Sequence, residues 1–233
     1  MSPGRSVYRD RCETCASYRP LCICAIAPKF KLRTRVVVIM HHREIPLTSN
    51  TSQLARLTLE NFDLKIRGIK DSPADLAGVI PPESQPLLLF PTEQSVELSP
   101  EYLKSFDRPI TLIVPDGSWR QARKVSFREP ELRGVPHIRL PLGAKTEYRL
   151  RRGKREDGLC TFEAIARALG MIENAEVQRE LEKIFKIKVE RTLWSRGELP
   201  PEQCLGGIPD EAYLQAYLAG AMGGKKPKRD RFS

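Results

Sequence analysis

A mainly parallel α/β sheet is the fold class this sequence predicts, and three observations predict it. The strand candidates "RVVVIMHH" (35–42), "QPLLLFPT" (85–92) and "PITLIVPDGSW" (109–119) are almost continuously apolar, as strands covered on both faces are. Segments of helical periodicity alternate with them, the order expected of parallel crossovers. Polar turn residues follow where the strands stop, and open α/β sheets bind ligands beyond those strand ends.

Taken in order, residues 1–30 form a cysteine-rich, strand-poor segment, and residues 35–42 supply the first buried strand. "NTSQLARLTLEN" (50–61) reads as a helix with Asn50 or Thr51 as N-cap and with Leu54, Leu57 and Thr58 on one face. The second strand, 85–92, is stopped by Pro91, and the third, 109–119, runs into a helix expected from about Trp119 to Phe127. "GVPHIRLPL" (134–142) is a short fourth strand. "TFEAIARALGMI" (161–172) is a helix with Phe162, Ile165, Ala166 and Leu169 at core spacing, and Gly170 is its expected stop. A longer amphipathic helix follows over 174–196, then a short one over 210–220, and the tail 223–233 reads as disordered and basic. The expected organisation is a cysteine segment (1–30), a main domain (31–222) and that tail.

A chain of 233 residues, 40% hydrophobic and 29% charged, is long enough for a full core and ordinary for a globular protein. No apolar run approaches the ~18 residues of a membrane span, so no membrane partner is expected. The start "MSPGRSVYRDRC" has no signal-peptide core, which points to the cytoplasm. Lys and Arg outnumber Asp and Glu by 39 to 29, with a sequence pI near 9.5. Residues 223–233 hold five bases and one acid, so a net +6 remains without them. That excess favours polyanions, nucleic acid first.

Cys12, Cys15, Cys22 and Cys24 follow C-x2-C-x6-C-x-C. Four thiols so close in a segment with little core of its own suggest structural zinc. Disulfides are disfavoured in a reducing compartment, and an iron–sulfur cluster is the smaller competitor. Cys160 and Cys204 read as ordinary thiols. His41, His42 and Glu44 lack an evident further ligand, so a metal there is not expected. Asn50 and Thr51 open a helix whose free N–H groups can receive an anion. Tyr148, Arg149, Arg151 and Arg152 form a basic loop with one aromatic, suited to phosphate pairing and base stacking if it is more than solvated surface. No glycine-rich phosphate loop, dinucleotide fingerprint or nucleophile elbow is present.

Together, "RPLCICA", "HHRE", "NTSQLARL", "LLLFPT", "DGSWRQARK" and "YRLRR…LCTFEAIARAL" resemble, in that order, the DTW-domain proteins, over roughly residues 10–172. These are tRNA-uridine aminocarboxypropyltransferases related to the SPOUT enzymes. The resemblance implies a SPOUT-like fold with a C-terminal trefoil knot and S-adenosyl-L-methionine bound in loops at the strand ends. It implies transfer of the 3-amino-3-carboxypropyl group to N3 of a tRNA uridine, leaving 5′-methylthioadenosine, with the variable loop as the expected target. A SPOUT-type methyltransferase and a non-catalytic zinc-containing RNA-binding protein are the alternatives. Ser118 stands where the family usually has threonine, and keeps the hydroxyl.

On this reading Asp116 is the candidate base for the uridine N3–H, provided that it is buried. Ser118 caps the next helix or holds the cofactor, and Trp119 either shapes the pocket or is plain core. The cofactor candidates are Phe90, Pro91, Thr92, Leu140, Leu142, Gly143, Leu159, Thr161 and Glu163, the last also a macrodipole partner for its helix. Arg123, Lys124, Tyr148, Arg149 and Arg151 are the RNA candidates. A monomer, or at most a weak homodimer, is expected.

Overall fold

The structure, a computed structural model, describes residues 10–47, 50–72, 74–150 and 158–218. In chain order its elements are β1 (Arg35–His41), α1 (Ser52–Thr58), β2 (Phe62–Arg67), β3 (Gln85–Leu89), β4 (Val96–Glu97), α2 (Pro100–Leu103), β5 (Ile110–Asp116), α3 (Trp119–Arg123), α4 (Val125–Arg128), β6 (His137–Arg139), α5 (Thr161–Ile172), α6 (Ala175–Ser195) and α7 (Asp210–Leu218), joined by short 3-10 turns. The strands form one sheet in the order β2-β1-β5-β3-β6-β4, and every pairing is parallel.

The continuous apolar runs have the expected cause. In β1, Val36, Val38 and Met40 join the larger core under α1, α5 and α6, while Val37 and Ile39 face a smaller one built with Leu76, Val79, Val125 and Leu132. Both faces of the sheet are therefore covered, and alternate residues of one strand serve different cores. The cysteine segment has no separate interior: Cys15, Tyr18, Leu21 and Ile23 are buried in the larger core.

Several expectations are corrected. β2 was not anticipated, because "FDLKIR" mixes polar and apolar residues as a half-buried outer strand does, and two-residue β4 is too short to leave a pattern. α1 spans only Ser52–Thr58, since Phe30 N donates to Thr58 O and Glu60 N to Phe30 O, drawing the chain into a bridge. Its N-cap, Thr51, makes no side-chain cap bond, and Asn50 Oδ1 instead accepts from Ser52 N at 2.8 Å. The helix expected over 119–127 is two short helices parted at Lys124. Gly170 does not end α5, which runs on to Ile172. A Cβ there would lie 2.7 Å from Gln178 Cβ, so this glycine lets α5 and α6 approach closely. The 223–233 tail lies outside the described residues.

Candidate active site

The sheet opens at the end of β5. β1 accompanies β5 as far as Met40↔Asp116, whereas β3 leaves it after Leu88↔Ile113. Beyond Ile113 one side of β5 therefore borders a cleft of about 590 Å³, closed by the 140–146 loop and by residues 158–161 before α5. That volume lies within the usual range for small-molecule sites.

Asp116 closes the strand on the cleft wall and is 9% exposed. Thr161 Oγ1 donates to its Oδ1 at 2.6 Å, and Ser52 Oγ donates to its Oδ2 in a short bond. Both donors sit in the first turns of helices, Ser52 in α1 and Thr161 in α5. The carboxylate is thus fixed from two sides, with lone pairs left over for a substrate proton.

The next residues turn the chain sharply. Gly117 has φ +151°, and a Cβ there would crowd Gln121 Oε1 at 3.0 Å and His41 Cβ at 3.3 Å. Ser118 then caps α3 in a reciprocal box: its Oγ accepts from Gln121 N at 3.4 Å, and its N–H donates to Gln121 Oε1 at 2.8 Å. This turn leaves Trp119 50% exposed, so the core alternative for it is corrected. Its ring lies 5.6 Å from that of buried Phe90, at 51°.

Phe90, Pro91, Leu140, Leu142, Gly143, Leu159 and Thr161 all border the same cleft as Asp116, Ser118 and Trp119. Leu142 is 98% exposed at its lip. Thr92 does not border it: its Oγ1 turns to His137 Nδ1 at 3.3 Å. Glu163 is corrected too. Its buried carboxylate accepts from Thr146 Oγ1 at 2.6 Å, Glu147 N at 2.7 Å and Cys160 N at 2.9 Å. It therefore ties the two cleft loops together and does not face the opening. Tyr148 is buried against Phe185, 5.9 Å between rings, which removes it as a stacking surface for RNA. Arg149 pairs with Glu190 at 3.6 Å, and Arg151 and Arg152 lie outside the described residues. Arg123 is exposed and Lys124 half-buried, and neither borders the cleft.

Sequence reasoning missed Ser52; Asn50 and Thr51, offered there only as a helix opening that could receive an anion, border this cleft. The available signal was three consecutive polar residues, Asn-Thr-Ser, on a strand-to-helix connection. A second cleft of about 500 Å³ lies across the 140–147 loop. Its charges are of both signs, and its central cation is already engaged: Arg167 Nε approaches Glu182 Oε1 at 3.5 Å, and its Nη1 donates to Ala144 O at 2.7 Å.

The four clustered cysteines place their sulfurs within 4.8 Å of one another, the sole such group of potential metal ligands among the described residues. Cys12–Cys24 and Cys15–Cys22 are 3.6 and 3.7 Å apart. A tetrahedral site with Zn–S near 2.3 Å requires about 3.8 Å between sulfurs, so the donor set fits zinc. Burial alone would raise the Cys15 thiol, but the Ser17 hydrogen bond, backbone bonds and the Lys188 charge outweigh it and lower it to about 6. Lys188 Nζ donates to Cys15 O, and Arg191 Nη1 to Cys22 O at 3.2 Å, so α6 holds the cluster with two cations. Burial pushes Cys160 well up and Cys204 up to about 11, as expected of inert thiols.

The sequence pattern of the DTW domain matches residues 9–193, from just before the first cysteine almost to the end of α6. The chain belongs to the DTW-domain family. Among related proteins, "tRNA-uridine aminocarboxypropyltransferase 2" of Drosophila melanogaster is 27% identical over 179 residues, 74% of this chain and 70% of that protein. The proteins of the same name from Macaca fascicularis and Mus musculus are 26% and 27% identical over 74% and 71% of this chain. The chain spans 60% and 57% of their lengths. Among solved structures, the SAM-dependent rRNA:acp-transferase Tsr3 from Vulcanisaeta distributa aligns with a TM-score of 0.44 at 23% identity, over 81% of this chain and 94% of that one. No described helix is long and apolar enough to cross a membrane.

Proposed function

We propose that this DTW domain transfers the 3-amino-3-carboxypropyl group of S-adenosyl-L-methionine to N3 of a tRNA uridine, in the variable loop, with release of 5′-methylthioadenosine. The observation that carries the reading is Asp116, a buried carboxylate clamped by two hydroxyls on the wall of a cleft of about 590 Å³. The names of the curated relatives support the same chemistry. The SPOUT-like trefoil knot implied by the family resemblance belongs to this reading.

The donor's sulfonium makes its neighbouring carbons electrophilic. The protein's part is to select Cγ of the methionine chain over the methyl carbon, and to make the uridine imide nucleophilic. Phe90, Pro91 and Trp119 provide an apolar wall for the adenine and the methylthio end. Backbone groups of Leu140–Gly143 and Leu159–Thr161 supply the polar edges. Asp116 accepts the N3 proton while the Ser52 and Thr161 hydroxyls keep its oxygens aimed, so part of the rate comes from orientation fixed before substrate arrives. The four cysteines hold structural zinc in this reading, away from the reacting atoms.

The test is a mass analysis of nucleosides from unmodified tRNA incubated with protein and S-adenosyl-L-methionine. The expected product is an aminocarboxypropyl-uridine, lost with Asp116→Ala. A methylated nucleoside would convert the reading to a methyltransferase. No adduct from folded, zinc-loaded protein would leave an RNA-binding protein without catalysis.

A further inference from the structure

β5 divides the carboxyl edge of the sheet in two. On the β3–β6 side lie the 90–91 and 140–146 loops of the cleft. On the other side, the ends of β1 and β2 and the α3–α4 segment bring cations together. We propose that this second half is the surface on which RNA lies, with the phosphates flanking the target uridine on its cations and an unpaired neighbouring base stacked on Phe127. The inference rests on the reaction proposed above and names where the partner of that site is held.

The stretch "GSWRQARKVSFR" (117–128) contains four cations and no acid. Arg120, Arg123 and Arg128 are exposed and Lys124 is half-buried. Arg120 in α3 and Arg128 in α4 both lie close enough to Lys124, at the break between the two helices, to act on its charge, and exposed Phe127 falls between Lys124 and Arg128 in the chain. Arg128 and Arg120 crowd Lys124 enough to lower its ammonium. Arg67, at the end of β2, is buried and paired with Glu129 at 2.7 Å, so that acid, next to Arg128 in the chain, is already engaged.

His41 connects this edge to the cleft. Its ring packs on Gly68, where a Cβ would lie 2.7 Å from Nε2, while its Cβ packs on cleft-lining Gly117. His42 stacks on His41 at 4.5 Å, with a buried Nδ1 that has no hydrogen-bond partner among the described residues. Arg43 is exposed one residue further on. A chain of phosphates crossing this edge therefore meets cations on both sides of a turn that leads directly to Asp116.

Phe127 decides the kind of anion. It is 66% exposed, more than any other aromatic among the exposed large apolar residues, and in the chain it lies between Lys124 and Arg128. A lipid surface needs a broad apolar face with its bases, as interfacial helices have. One ring among cations matches single-stranded RNA, in which backbone charge and base stacking alternate.

The experiment measures tRNA affinity across a salt series, and S-adenosyl-L-methionine affinity by calorimetry, for wild type, Phe127→Ala, Arg120→Ala with Lys124→Ala, and a control pair. The control, Lys104→Ala with Arg108→Ala, removes the same charge from exposed positions near the amino end of β5. Phe127→Ala should weaken tRNA about 5- to 100-fold. Arg120→Ala with Lys124→Ala should flatten the salt dependence by roughly one to two phosphate contacts. The control pair should bind like wild type, and all variants should keep wild-type donor affinity. Edge variants with wild-type tRNA affinity would overturn the surface, as would a control pair equally weakened. Loss of anionic-vesicle binding in the same variants, with tRNA unaffected, would overturn it in favour of a lipid partner. The underlying reaction fails separately, through wild-type protein that gives no modified nucleoside.

Discussion

Asp116 is held unlike a strand-end aspartate in solvent: each oxygen already accepts a hydroxyl, from Ser52 and from Thr161, so its aim does not depend on the substrate. Asp116→Asn keeps the shape and removes the acceptor of a proton. The expected result is a rate lower by roughly 10²–10⁴, with donor affinity little changed. Single-turnover kinetics beside calorimetry check it, and full activity of the asparagine variant would end the assignment. Ser52→Ala leaves one carboxylate oxygen without its donor, at about 1–3 kcal/mol. It should lower kcat more than it raises KM, because the lost bond aims a group and touches no substrate. The sequence made Asp116, Ser118 and Trp119 legible, because a polar cluster straight after an apolar strand has few other uses. Ser52 and Glu163 were not legible in their roles. Ser52 is 64 residues from Asp116, and Glu163 reaches back 16 and 17 residues to the 146–147 loop, so both depend on the fold being formed.

The elements that were legible are the ones whose pattern has a single explanation. α5 matches its predicted span at Thr161–Ile172, and α6 starts behind Asn174, which accepts from Glu176 N and Val177 N. β2 and β4 escaped because edge strands need no apolar run. Gly170 misled because a glycine late in a helix has two readings, a stop or a close approach, and only packing separates them. Helix propensity favours Gly170→Ala by about 1 kcal/mol. The Cβ would meet Gln178 Cβ at 2.7 Å, and overpacking of that kind costs about 1–3 kcal/mol. The variant should therefore be less stable than wild type in urea, and a gain in stability would show that α5 and α6 can part there. Glu163→Gln tests the tie between loops. An amide presents one acceptor where three donors converge, so Thr146, Glu147 and Cys160 compete for it. Donor affinity should fall about tenfold or more, while α5 keeps its helical signal. Unchanged affinity would mean that the 140–148 loop holds its shape without the tie.

At the scale of the whole molecule, the cysteine cluster is bound into the core through charge as well as packing. Lys188 is 4% exposed, and it donates to the Cys15 carbonyl and the Ser17 hydroxyl, both neutral. Four thiolates around a divalent ion carry a net charge of about −2, which Lys188 and Arg191 together offset. Without the metal Cys22 and Cys24, both pushed up by burial, hold protons while Cys15 keeps its charge, so two buried cations on α6 lose part of their counter-charge, an arrangement that costs several kcal/mol. α6 packs on α5, and α5 begins with Thr161, which holds Asp116, so the loss reaches the cleft through two packed helices. Chelation should therefore lower the thermal midpoint by about 10 °C or more, at roughly 2–4 °C per kcal/mol for a chain of this size. Donor binding should weaken in parallel. Lys188→Met, which keeps the length and removes the charge, should surrender zinc to a competing chelator at least tenfold more readily. Cys160 and Cys204, both pushed up by burial, should stay unreactive to alkylation at neutral pH before and after chelation, so that four thiols and not six appear on metal removal. Metal release without change in the thermal midpoint would mean that the segment rests on the burial of its own Leu21 and Ile23 in the larger core alone, and that the charges on α6 have another use.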